Sequence, residues 1–390
     1  MKSLAKFTES TSTGRQRLIP LDAFRGLIMV LMAVDHANYF VARMHPTGEF
    51  WGIPLPEYES ILAFITRLVT QPCAPGFFFL MGTGMILFFH SRQKIGWTEG
   101  KITRYFLTRG LILILLQFFI ENPAWLLGPA ESFSPPGGGG EVWFQFGVLF
   151  GLGLAMVIWA ILMRLNSGLV VTISLAAVIL TQGLTPNADK ADALFSPFLR
   201  ILSIPGKTGH IQVFYPILPW LGFVGFGVIF GRWVLRNAPA AYRRALFAGI
   251  GFLVLFFVIR ILGSFGNFHP PQSYYWTDLL HVTKYPPSIS FLTLTLGFSL
   301  VVLFVLSRLE DVISRWGRSL LVFGRTALFF YLLHLYVFAF LGLIFASRGG
   351  VGHPQMYLFW LAGLFFLYPL CLLYGNFKRK TPPDSIWRFF

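Results

Sequence analysis

Residues 244–264 read RALFAGIGFLVLFFVIRILGS, a 21-residue run in which Arg244 and Arg260 carry the charge. About 20 apolar residues in a helix span the hydrocarbon core of a bilayer. Similar runs fill much of the chain: 55% of its 390 residues are hydrophobic, 12% are charged, and the mean hydropathy is +0.66. Soluble domains carry about 25% charged residues. The sequence therefore predicts an integral membrane protein of the all-α class.

Apolar stretches predict a single bundle of about ten transmembrane helices. They lie near residues 20–42, 73–91, 104–127, 142–164, 167–185, 213–235, 244–264, 286–307, 319–346 and 355–376. The second stretch is short, and the segment 61–70 either extends it through the Pro72/Pro75 kink or forms a separate interfacial helix. We expect residues 1–19 and 377–390 to be cytoplasmic tails and residues 20–376 to form the transmembrane domain.

The distribution of positive charge predicts the topology. With both termini inside, cytoplasmic segments hold 20 of the 31 Lys and Arg residues and outer loops hold 6, as the positive-inside rule requires. Positively charged cytoplasmic segments therefore account for the net charge of +15, and nucleic-acid binding is not needed to explain it. Cys73 and Cys371 lie in apolar stretches, so we expect neither a disulfide framework nor a metal site.

The first span contains an unusual set of ionisable residues, Asp22, Arg25, Asp35 and His36. Such groups are costly in a membrane and mark candidate functional sites. Asp22 and Arg25 share a helical face. His36 follows Arg25 by eleven residues, so it lies close to the same face of the helix and about 16 Å farther along its axis. The alternative is structural, with an Asp22/Arg25 ion pair anchoring the helix and His36 at the outer interface.

The Arg-x10-His spacing after Leu-Asp-x-x-Arg-Gly resembles the signature of the acyltransferase 3 family, ten-helix membrane enzymes that O-acylate extracytoplasmic sugars. More of the chain resembles bacterial proteins with the heparan-α-glucosaminide N-acetyltransferase catalytic domain. The matching blocks follow the same order along the chain. They are Leu21 to His36, Cys73-Ala74-Pro75 with the Phe-rich stretch after it, Thr108-Arg109-Gly110-Leu111, Tyr215-Pro216 with Pro219-Trp220, Thr283 to Ser288, and Phe323 to His334.

The resemblance implies transfer of an acyl group, expected to be acetyl, from cytoplasmic acetyl-CoA to a sugar hydroxyl or amine outside. Arg25, Arg109 and Arg325 lie at the cytoplasmic ends of their spans and, with Asp22, are candidates to form a site for the donor phosphates. The alternative is that each arginine extends singly to lipid headgroups. The expected location is a bacterial inner membrane.

Histidine is suited to accept a proton from the incoming nucleophile. In the lysosomal branch of the group, the histidine assigned to catalysis follows the first helix, and His45 is the most similar position here. We favour His36 over His45 because it fits the acyltransferase spacing. His334 is either structural or part of the site, and Asp35, about 100° around the helix from His36, is a weaker candidate. Direct attack and an acyl-histidine intermediate stay open.

Candidate acceptor contacts face the outer side of the membrane. The resemblance singles out Lys284, Tyr285, Tyr215 and Trp220, although ordinary interfacial roles also account for aromatic residues there. Glu121 and Asn122 end the third span on the same side. A secondary transporter or flippase with a polar interior is the alternative function, but we detect no pair of matching halves. Expected partners are the donor, the sugar and membrane lipids, with no nucleic acid; a homodimer stays open.

Overall fold

The computed structural model describes residues 18–44, 48–128, 142–186, 196–346 and 349–382, with Ser385 and Trp387. This part of the chain is mostly helical, with three short strands, which confirms the all-α polytopic prediction. Its helices are α1 Ile19–Ala37, α2 Ile61–Thr70, α3 Cys73–Gln93, α4 Glu99–Leu116, α5 Asn122–Trp125, α6 Val148–Leu162, α7 Ser167–Leu184, α8 Pro197–Leu202, α9 Ile217–Arg236, α10 Ala238–Leu262, α11 Trp276–Leu280, α12 Ile289–Arg308, α13 Glu310–Trp316, α14 Arg318–Arg325, α15 Ala327–Phe345 and α16 His353–Lys380.

Eight helices in the described ranges are long and apolar enough to cross a membrane. Two predicted spans fall outside that set: α1 because Asp22, Arg25 and Asp35 lower its apolar character, and α6 because it has only 15 residues. Each predicted span nevertheless contains a helix. The count of ten spans therefore stays a prediction.

One predicted span follows the first of its two alternatives, in which residues 61–70 extend it, and another differs from the sequence estimate. Helices α2 and α3 form one run, Ile61–Gln93, interrupted only at Gln71 and Pro72. The stretch 319–346 divides into α14 and α15 because Thr326 leaves helical geometry, with φ −116° and ψ 31°. Its hydroxyl donates to the carbonyl of Val322 at 2.8 Å, which satisfies a carbonyl at the end of α14.

Helix α1 lies at the centre of the bundle, packed against α2, α3, α12, α14, α15 and α16. Glycines allow its closest contact. A Cβ added to Gly26 would lie 2.0 Å from the carbonyl oxygen of Leu320, and one added to Gly324 would lie 1.9 Å from that of Asp22. The backbones of α1 and α14 therefore touch, which brings Asp22, Arg25 and Arg325 to one place.

Two π-helical segments and a small sheet cover one end of the bundle. The π segments are Asn38–Ala42, directly after α1, and Gln117–Glu121, between α4 and α5. The strands β1 Phe144–Phe146, β2 Gly206–Thr208 and β3 Ile211–Val213 lie in the order β1-β3-β2, with β1 parallel and β2 antiparallel to β3. The sequence analysis predicted neither feature.

Candidate active site

Two cavities lie along α1. His36 lines one of them and Arg25, three helical turns earlier, lines the other. The first, here called the histidine cavity, has a volume of about 100 Å³. Its polar lining consists of Asp35, His36, Tyr39, Thr70, Cys73, Glu121, Trp125, Gln145, Tyr215, Lys284, Tyr285 and Tyr331. The second, here called the basic cavity, has a volume of about 1210 Å³.

His36 is held by a second histidine and an aromatic ring. Its Nδ1 lies 2.5 Å from Nε2 of His334, and Trp125 packs edge-on against it with ring centroids 5.2 Å apart. His334 is fully buried, and its Nδ1 lies 3.1 Å from the carbonyl oxygen of Phe330. A carbonyl only accepts, so His334 Nδ1 donates. In neutral His334, Nε2 is then the acceptor, and His36 Nδ1 donates to it.

This hydrogen-bond chain determines the tautomer of His36. With its proton on Nδ1, a neutral His36 carries its lone pair on Nε2. That arrangement is the one required of a general base whose other ring nitrogen is held by an orienting partner. His334 therefore orients the His36 ring through this hydrogen bond.

Asp35 belongs to a separate ion-pair network. The guanidinium of Arg67 lies between two carboxylates, 2.6 Å from Asp35 Oδ2 and 2.5 Å from Glu49 Oε2. The hydroxyl of Thr70 also donates to Asp35 at 3.2 Å, and Gln71 donates to Glu49 at 3.2 Å. The network ties the segment before α2 to α1 and α2, beside the histidine cavity.

Glu121 is a buried carboxylate at the histidine cavity. Its side chain is 2% exposed, and its Oε1 accepts a hydrogen bond from Trp125 Nε1 at 3.3 Å. Its Oε2 has no hydrogen-bond partner in the described part of the chain. Glu121 ends the π-helical segment, and such segments occur frequently at functional sites.

The remaining acceptor candidates separate into two groups. Tyr215, Lys284 and Tyr285 line the histidine cavity, with the Tyr215 and Tyr285 hydroxyls 3.5 Å apart. Asn122 accepts from Gln117 at 2.9 Å, and buried Trp220 stacks on Phe78 with centroids 4.6 Å apart. Neither Asn122 nor Trp220 is among the residues that line the two cavities. His45 lies outside the described residues.

The basic cavity collects the predicted donor-binding residues. Among the described residues, its charged or titratable lining consists of Asp22, Arg25, His90, Lys94, Arg109, Arg236, Arg325, Lys378 and Arg379, of which Asp22 is the one carboxylate. Asp22 lies between two arginines, 3.4 Å from Arg25 and 3.1 Å from Arg325. Arg109 Nε is buried without a hydrogen-bond partner among the described residues. An excess of guanidinium groups in one cavity favours binding of a phosphorylated ligand.

The two cavities share two aromatic side chains in their linings. Phe77 and Tyr331 line both, and their rings are perpendicular with centroids 6.4 Å apart. Arg25 and His36 therefore face adjoining cavities, with Phe77 and Tyr331 at the junction between them.

Sequence reasoning missed several members of this site. The sequence did not single out Arg67, which lies at the edge of an apolar stretch, or Glu49, which lies in an outer loop. Phe77 and Tyr331 fall within blocks that carry the family resemblance, but aromatic residues in apolar helices have no distinctive pattern. Trp125 gave no signal.

Comparison with known proteins adds independent information. The family model described as "Heparan-alpha-glucosaminide N-acetyltransferase, catalytic" matches residues 17–264. Mouse heparan-alpha-glucosaminide N-acetyltransferase is 29% identical over 121 residues, which cover 31% of this chain and 16% of the mouse protein. The family match extends from α1, with Arg25 and His36, through α10. Because that model covers most of the sequence, this multi-pass membrane chain belongs to the heparan-alpha-glucosaminide N-acetyltransferase catalytic-domain family.

Proposed function

We propose that the protein is a transmembrane acyltransferase that moves an acetyl group from acetyl-CoA to a sugar hydroxyl or amine. The observation that carries this proposal is the junction of the two cavities at Phe77 and Tyr331. A long donor whose phosphates lie in the basic cavity reaches His36 by extending its thiol arm across that junction. Family membership and the name of the mouse relative support the same chemistry.

The basic cavity binds the nucleotide portion of the donor in this proposal. Ligand pockets commonly measure about 300–1,000 Å³, and the basic cavity, at about 1210 Å³, has room for a ligand of coenzyme size. Arg25, Arg109 and Arg325 supply charge-assisted hydrogen bonds to phosphate oxygens. Asp22 holds two of these arginines in position before the donor arrives.

His36 acts as the general base. Its Nε2 takes the proton from the acceptor hydroxyl or amine as the nucleophile attacks the thioester carbonyl carbon. The carbon–sulfur bond breaks, a carbon–oxygen or carbon–nitrogen bond forms, and the coenzyme thiolate leaves. The imidazolium then returns the proton to the thiolate, so free CoA and the acetylated sugar are the products.

Glu121 contacts the acceptor. Its Oε2 has no hydrogen bond of normal geometry among the described residues, so it can accept one from the sugar hydroxyls or ammonium group. Replacing Glu121 with Gln should raise the KM for glucosamine, used as the probe acceptor, by about 10-fold or more and leave the Kd of acetyl-CoA unchanged. An unchanged KM would remove Glu121 from the acceptor site.

The orientation follows from the charge distribution. The basic cavity faces the cytoplasm, where acetyl-CoA is made, and the histidine cavity faces the outside, consistent with positively charged inner segments. We propose the same boundaries as the sequence indicates, with residues 20–376 in the membrane domain and the flanking segments in the cytoplasm. We also propose a bacterial inner membrane as the location.

A secondary transporter or flippase is the alternative, because adjoining polar cavities in a bundle also suit movement of a solute. Sealed vesicles that contain the protein and acetyl-CoA labelled in the acetyl group, with glucosamine outside, distinguish the two functions. The enzyme should place label on external sugar and leave free CoA inside, and His36→Ala should abolish this transfer. Intact acetyl-CoA outside the vesicles would contradict the proposed function. Label on sugar with His36→Ala at the wild-type rate would contradict the role of His36 as the general base.

A further inference from the structure

The two cavities differ about twelvefold in volume, and this difference bears on the acyl groups that reach His36. The basic cavity measures about 1210 Å³ and the histidine cavity about 100 Å³. Any acyl group delivered from the first to the second passes Phe77 and Tyr331 and must then fit the smaller space.

The positions of these two rings are determined by their helices. Tyr331 precedes His334 by three residues on α15, so both side chains share one helical face, and their ring centroids lie 5.6 Å apart. Tyr331 is 5% exposed, and Phe77 meets it edge-on from α3. The Tyr331 ring therefore packs between His334, which contacts His36, and Phe77.

Apolar and small side chains complete the lining of the histidine cavity. Met32, Ala74, Gly147, Val148 and Phe214 line it together with the polar groups. A close-packed wall does not expand for an added methylene without strain. In a hydrophobic enzyme pocket, one extra methylene changes selectivity by about 10–200-fold.

We infer that Phe77 and Tyr331 are specificity-determining residues that limit the transferred acyl group to short chains. This inference rests on the proposed function, because it concerns the donor of that reaction. Phe77 sets the passage between the cavities, and the tyrosine ring sets the depth that an acyl chain can reach beyond it. The hydroxyl of Tyr331 is not needed for this selection, since the ring supplies the bulk.

A series of acetyl-, butyryl- and octanoyl-CoA tests the inference. The wild-type protein should release CoA from acetyl-CoA at least 10-fold faster than from butyryl-CoA, with glucosamine as acceptor. Phe77→Ala should reduce that ratio at least fivefold and admit octanoyl-CoA. Tyr331→Phe should keep the wild-type ratio, whereas Tyr331→Ala should lower it.

Phe89→Ala is the matched control, because Phe89 lies on the same helix, is half-buried and lines neither cavity. It should keep the wild-type donor ratio. If Phe77→Ala does not fold, Phe77→Leu removes less volume, and the Kd of octanoyl-CoA measured by titration reports the same selection without turnover.

The outcomes separate the inference from the proposed function. An unchanged donor ratio in folded Phe77→Ala or Phe77→Leu, with acetyl transfer retained, overturns the inference alone. A wild-type protein that prefers butyryl-CoA or octanoyl-CoA also overturns it. Absence of transfer from every donor in the wild-type protein would instead contradict the proposed function.

Discussion

His334 holds His36 through a 2.5 Å contact between its Nε2 and the Nδ1 of His36, while its own Nδ1 donates to the carbonyl of Phe330. A helix backbone carbonyl thus determines, through two imidazoles, which nitrogen of His36 can accept a proton. The two histidines are 298 positions apart in the chain, so α1 and α15 must pack correctly before the site exists.

Replacing His334 should impair turnover without weakening donor binding. His334→Ala removes the group that accepts from His36 Nδ1, and kcat should fall about 10²-fold, within the range for loss of acid–base catalysis. His334→Gln should recover part of that rate, because an amide oxygen can accept the same hydrogen bond. Equal activity of the two variants, with an unchanged acetyl-CoA Kd, would show that His334 only fills space.

The basic cavity should lose donor affinity when an arginine is neutralised. Arg109→Gln removes a guanidinium whose Nε lacks a protein partner, and a charge-assisted hydrogen bond contributes about 1.5–3 kcal/mol. The Kd of acetyl-CoA should therefore rise about 10–100-fold in calorimetric titration. Arg104→Gln is the control, because Arg104 is exposed on the same helix and does not line the cavity. Equal Kd values for both variants would contradict donor binding by Arg109.

The contact between α1 and α14 should not tolerate a methyl group at Gly26. Gly26→Ala places a Cβ 2.0 Å from the Leu320 carbonyl oxygen, so the helices must separate, at a cost of about 1–3 kcal/mol. The melting temperature in detergent should fall. Gly251→Ala, a helical position with nothing within 4 Å, should instead be neutral or stabilising by up to about 1 kcal/mol. An equal effect of both substitutions would exclude close packing as the cause.

The Glu49–Arg67 pair should give the fold a pH dependence. Burial alone raises the pKa of the Glu49 carboxyl, but the charge and hydrogen bonds of Arg67, together with the charges of Lys284 and His281, outweigh burial and hold the pKa below its ordinary 4.5. A lowered folded-state pKa adds stability above pH 4.5, which is lost as the pH falls through the folded-state value. Glu49→Gln should therefore lower the melting temperature at pH 7, and its difference from wild type should shrink below pH 4.5.

Glu57→Gln is the control for this pH series, since Glu57 is exposed. It should follow the wild-type protein throughout. A constant difference between Glu49→Gln and wild type from pH 7 to pH 3.5 would exclude ionisation of Glu49 as the source of the stability.

The sequence predicted the helices well because the membrane imposes a simple requirement on each span. The apolar stretch 244–264 needed only its length and composition to be identified, and α10 covers Ala238–Leu262. The ends were less predictable. The single stretch 319–346 gave no sign of the break at Thr326, because a local change in backbone dihedral angles leaves the apolar composition intact.

The candidate site was only partly predictable. The pairing of Asp22 with Arg25 follows from helical spacing, and the structure places the two side chains 3.4 Å apart. The contact between His36 and His334 depends on tertiary packing, which spacing along one helix does not report. Glu121 enters the cavity from a π-helical segment, where five-residue hydrogen bonding changes the direction of each side chain relative to an α-helix.

The most direct measurement of the central claim is a cryo-electron microscopy structure with an unreactive acetyl-CoA analogue, in which a methylene inserted between the sulfur and the acetyl group turns the thioester into a thioether that keeps the acetyl carbonyl. The account predicts density for the phosphates beside Arg25, Arg109 and Arg325, an arm between Phe77 and Tyr331, and the acetyl carbonyl next to Nε2 of His36. Phosphates bound away from these arginines, or an acetyl group that stays outside the histidine cavity, would contradict it.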